Sequence, residues 1–63
     1  MKLIEGQRYE WRIGKVKNGK ILYENGLFTG EYLPNGNAIF TTKDGVDWAI
    51  DPDRAHKYLK GRK

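Results

Sequence analysis

The chain contains no cysteine, so neither disulfide staples nor thiolate metal sites are available to it. It has no serine and a single histidine, His56. Nucleophilic catalysis would therefore fall to Thr29, Thr41 or Thr42, and Thr41-Thr42 reads better as strand. No apolar run approaches the roughly 20 residues that span a bilayer. Leu3-Ile4 stops at Glu5-Gly6, which leaves no secretory apolar segment, and the expected location is the cytoplasm. The glycines fall singly, as turn residues, without the spacing of a phosphate loop.

What is present is aromatic. A chain of 63 residues is one small domain. Such a domain buries only about 60% of the surface its unfolded chain exposes. Its core must come from large side chains, and 13% of the residues are Phe, Trp or Tyr. Each can bury on the order of 150–250 Å².

The turn signals are regular. Asn18-Gly19, Asn25-Gly26, Asn35-Gly36 and Asp44-Gly45 punctuate segments rich in β-branched and aromatic residues. These pairs suit type I′ hairpins, whose two central residues both need positive φ. The spacing predicts strands near 7–17, 20–24, 27–33, 37–43 and 46–51. Tyr9, Trp11 and Ile13 alternate with Arg8, Glu10 and Arg12. A one-residue bulge at Gly14 would return Val16 to the inner face. Phe28, Gly30 and Tyr32 share a face, as do Val46, Trp48 and Ile50. Leu22, Leu27, Leu33 and Ile39 fall out of phase, which calls for a strongly curled sheet, a closed barrel or a dimer to cover them.

At the C-terminus Asp51 can cap a helix, Pro52 suits its first position and Asp53 faces its dipole. Ala55, Tyr58 and Leu59 lie on one helical face, and Gly61 fits as terminator. The expected architecture is mainly β: a small curled antiparallel meander of about five strands, SH3-like or a similar small barrel. A short C-terminal α-helix over about residues 52–60 and a frayed tail at Arg62-Lys63 complete it.

Phe28-Thr29-Gly30-Glu31-Tyr32, followed by Asn35-Gly36 and Asp44-Gly45, resembles one MORN repeat unit over about a third of the chain. It lacks the glycine after the central turn, and Ile50 stands where a following unit would want one. A solenoid needs about three units, so the segment reads as two similar hairpins and no family is assigned.

The net charge of +4 is unevenly spread. Residues 1–20 and 52–63 are each strongly basic, whereas residues 21–51 carry Lys43 against five acids. If the ends of the chain meet, as termini of small domains often do, their cations pool. Phosphate contacts by such cations give sequence-independent, salt-sensitive affinity. The nucleic-acid-binding residues expected on this ground are Arg8, Arg12, Lys15, Lys17, Arg54, Lys57 and Lys60. No groove-reading helix is evident; a curved β-surface with aromatics could instead stack on unpaired bases.

Enzyme chemistry is not expected. His56 stands among cations, without an orienting carboxylate nearby in sequence. Asp51 and Asp53 are explained by capping. Asp44 and Asp47 lack the further oxygen ligands of a calcium loop. No metal, cofactor or membrane partner is expected. The leading reading is a non-enzymatic module that binds nucleic acid, of the free-standing kind that phages and other mobile elements carry. The alternative is a protein-interaction module, an inhibitor, adaptor or homodimer. It would use Leu22, Leu27, Leu33 and Ile39, or a strand edge that accepts a partner strand.

Overall fold

Three of the four Asn/Asp-Gly pairs turn the chain, and the fourth does not. The computed structural model describes residues 2–59, and over residues 15–17 the backbone path only. The strands are β1 (Arg8–Lys17), β2 (Lys20–Tyr32), β3 (Ala38–Thr41), β4 (Asp47–Ile50) and β5 (His56–Lys57), with a 3₁₀ turn at Pro52–Arg54. They form one antiparallel sheet in the order β4-β3-β2-β1-β5.

Asn18 and Gly19 both have positive φ, 53° and 76°, as a two-residue type I′ loop requires. The turns at Asn35-Gly36 and Asp44-Gly45 are built differently, since only the glycine has positive φ in each. Leu33 N donates to Asn37 O and Gly36 N to Leu33 O; Thr42 N to Val46 O and Gly45 N to Thr42 O repeat the pattern. These are three-residue loops that close on a left-handed glycine.

At Asn25-Gly26 the chain runs straight on, so the expected strands 20–24 and 27–33 are one strand, β2. Gly26 is buried there, and a Cβ on it would lie 2.8 Å from the Thr41 carbonyl oxygen. The glycine serves a close backbone approach, not a turn.

Two irregularities bend the sheet. Between Arg12 and Val16 four residue steps on β1 oppose two on β2, so the bulge at Gly14 holds two extra residues, not one. The side chain of Val16 lies outside the described residues. Between Phe28 and Tyr32 the register of β2 on β3 shifts likewise, around Gly30. Gly14 and Gly30 have φ of 77° and 90°, the left-handed conformation that a bulge of this kind demands. The Thr29 hydroxyl donates to the Ile39 carbonyl at 2.9 Å, which gives that oxygen a partner beside the disrupted ladder.

The core is Leu3, Tyr9, Trp11, Phe28, Ala38, Phe40, Ile50 and Ala55, with Ile13 and Trp48 packed against it. Phe40 is its hub. Its ring centroid lies 4.9 Å from Trp11, 5.6 Å from Phe28 and 5.8 Å from Tyr9. The alternation of β1 is thus as expected. Val46, by contrast, is exposed.

The C-terminal α-helix expected over residues 52–60 is absent within the described residues. Asp51 does cap: its Oδ1 accepts from Asp53 N at 2.9 Å, with proline following. The turn ends after Arg54 because Ala55 is extended, at φ −87° and ψ 135°, and fully buried. The next residues pair with the free edge of β1, Lys57 facing Tyr9 and His56 facing Glu10. A helix of nine residues is marginal alone. An open strand edge offers the same backbone groups partners at once. Lys60, Gly61 and the tail Arg62-Lys63 lie outside the described residues. Among the described residues no helix is long and apolar enough to cross a membrane.

Candidate functional site

The head and tail of the chain lie side by side. Besides the two β1–β5 pairs, Tyr58 N donates to Arg8 O at 3.2 Å. Arg54 Nη2 donates to the Arg12 carbonyl at 2.8 Å, across 42 residues of sequence.

Residues facing each other across an antiparallel pair share a side of the sheet. Arg8, Glu10 and Arg12 therefore share the outer side with Leu27, Asn25 and Tyr23 on β2, and with His56 on β5. Lys57 faces Tyr9, so it belongs to the other side. A helix would have put Arg54, His56, Lys57 and Lys60 together. The extended backbone splits His56 from Lys57 by simple alternation. Lys15 and Lys17 stand on β1, but their side chains, like all of Lys60, lie outside the described residues.

Two grooves mark the outer side. One, of about 360 Å³, is lined by Arg12, Tyr23, Asp53, Arg54 and His56. Its tyrosine is 50% exposed. The second, of about 280 Å³, is lined by Arg8, Glu24, Asn25, Lys43, Asp44 and Tyr58. Arg8 and Arg12, one at each groove, are four residues apart on β1, or about 13 Å at the usual rise of a strand. Glu10 lies between them and is buried.

Arg8 and Arg54 each donate to a neutral acceptor. Arg8 Nη1 donates to Asn25 Oδ1 at 2.7 Å, and Arg54 to the Arg12 carbonyl. Neither groove is uniformly cationic, since Asp53 lines the first and Glu24 and Asp44 the second.

Sequence reasoning missed Tyr23 and Tyr58 as members of this surface. The signal for Tyr23 is the bulge. Counted straight back from the Asn18-Gly19 turn, Tyr23 would face Gly14; the two extra residues make it face Arg12 instead.

The apolar set is divided. Leu27 is 41% exposed on the outer side, facing Arg8 and Thr41, and Ile39 is half-buried two residues from Thr41. Leu22 alternates onto the other side of β2, and Leu33 lies in the β2–β3 connection, 38% exposed. Among the described residues no group of three or more His, Asp or Glu side chains is placed to hold a metal ion. Comparison with protein-family models, curated proteins and solved structures returns no match to this chain.

Proposed function

We propose that this chain is a small non-enzymatic binding module that engages nucleic acid where β1 meets the C-terminal segment. The observation that carries the reading is the Arg54–Arg12 contact. It sets the Arg54 guanidinium on the backbone of Arg12, and these residues from the two basic ends of the chain line one groove beside an exposed tyrosine. Arginine suits phosphate because its planar fork matches the oxygens bidentately.

The fold reading that accompanies it is a sheet rolled into a small SH3-like barrel. β4 and β5 are opposite edges of the sheet, about 19 Å apart if it were flat. The chain crosses between them through residues 51–55, three of them in a 3₁₀ turn rising only about 2 Å each. The two glycine bulges supply the bends that such rolling needs.

The test is binding of fluorescent oligonucleotides followed by anisotropy. Contacts from Arg8, Arg12 and Arg54 would make affinity for a single strand fall roughly 20-fold between about 50 and 200 mM salt. Affinity that does not move over that range would overturn the reading.

A second reading, a protein-interaction module or homodimer, is favoured by Leu27, an exposed leucine on the same side. Leu27→Asp with the fold retained separates the two. Loss of self-association or of partner binding, with oligonucleotide affinity unchanged, would support the second.

A further inference from the structure

We infer that the nucleic acid this surface takes is single-stranded, lying along the outer side of β1 from the Arg12 groove toward the Arg8 groove, with the Tyr23 ring as a stacking platform. The inference rests on the nucleic-acid reading above and narrows it. In a duplex the base faces are already stacked on one another, so an exposed tyrosine ring meets only backbone. A single strand offers its base faces, and aromatic side chains stack on them without regard to sequence. Tyr23 is 50% exposed and stands directly across the ladder from Arg12. One residue pair thus presents a ring for a base and a fork for its phosphate.

Charge density argues the same way. A duplex carries about one negative charge per 1.7 Å of axis. Laid on this side it would press phosphates onto Asp53 at one groove and onto Asp44 at the other. A single strand is flexible enough to set phosphates at the Arg12–Arg54 pair and at Arg8, about 13 Å further along the strand, and to turn its bases toward the carboxylates.

The experiment measures anisotropy with oligothymidylate and oligouridylate of about eight nucleotides, within the site size of small β-modules. A duplex of equal length is the comparison. The single strands are expected to bind at least about 10-fold tighter than the duplex. Tyr23→Ala should weaken them about 5- to 150-fold and leave the duplex unchanged, and Tyr23→Phe should stay within about twofold of the parent. A difference between the two single strands would keep the inference, and oligodeoxyuridylate, which differs from oligouridylate only in the 2′-hydroxyl, would then assign it to the sugar or to the thymine methyl.

Equal binding of duplex and single strand, with Tyr23→Ala silent while Arg12→Glu weakens both, would overturn this inference and leave the nucleic-acid reading standing. Absence of binding to all three at low salt would overturn both. Circular dichroism of each variant checks the fold. Should Tyr23→Ala not fold, the single-strand to duplex ratio of the parent protein decides alone.

Discussion

Two glycines of β1 and β2 perform different tasks, and substitution should tell them apart. Gly26 is held against the backbone of Thr41, where neither partner is a flexible side-chain end. Gly26→Ala must push the strands apart and should cost about 1–3 kcal/mol, read from urea denaturation. Gly14 has open space around its missing Cβ but a φ of 77°. Gly14→Ala should cost about 1–2 kcal/mol, from backbone strain alone. Gly14→Asn should recover part of it, since asparagine tolerates this conformation; Gly26→Asn should be worse than Gly26→Ala. At the centre of the core, Trp11 is fully buried against Phe40 and Trp48. Trp11→Ala removes about 3–5 kcal/mol. That equals the whole stability a core of this size usually supplies, so far-UV circular dichroism should show an unfolded chain at 25 °C.

Among the elements, the short passage from β4 to β5 decides what the C-terminal segment becomes. Its local signals are those of a helix start, and they are obeyed for one turn. Asp51→Ala deletes the side chain that accepts from Asp53 N. Thermal unfolding should show a loss of about 0.5–1.5 kcal/mol, with Asp51→Asn near the parent. β5 has only two paired residues and the additional Tyr58–Arg8 bond. Replacing Tyr58 by proline removes that N–H as well as the ring, so Tyr58→Pro should destabilise by about 1 kcal/mol more than Tyr58→Ala. Hydrogen exchange would report the same bond, with fast exchange at residue 58 in a weakened variant.

For the whole molecule, the joining of head and tail is what brings Arg54 beside Arg12. Arg54→Glu combined with Arg12→Glu should remove oligonucleotide binding altogether. Each single reversal should reduce both the affinity and its dependence on salt, by about one phosphate contact. Stability should change little, because the lost Arg54 bond is exposed and ends on a neutral carbonyl. A double variant that binds as tightly as the parent would remove the case for this surface.

Much of this was legible in order. The alternation of Tyr9, Trp11 and Ile13, three of the four turns, the Gly14 bulge and the Asp51 cap are all local matters. They follow from side-chain period, from the φ that Asn-Gly and Asp-Gly prefer, and from the hydrogen-bonding reach of a short acid. The site was legible only in part. Arg12 and Arg54 line one groove, whereas Lys57 falls on the other side of the sheet and Tyr23 enters unannounced. Both outcomes turn on long-range pairing. Whether residues 56–57 coil or extend depends on a vacant edge on β1, about 47 residues away in sequence. Whether Tyr23 meets Arg12 depends on the bulge holding two residues and not one, since one would flip it to the opposite side. Composition and periodicity by themselves determined a small aromatic-cored β protein with basic ends. The tertiary structure alone decided which cations share a groove, because register is chosen by the joint packing of several strands and not by any one of them.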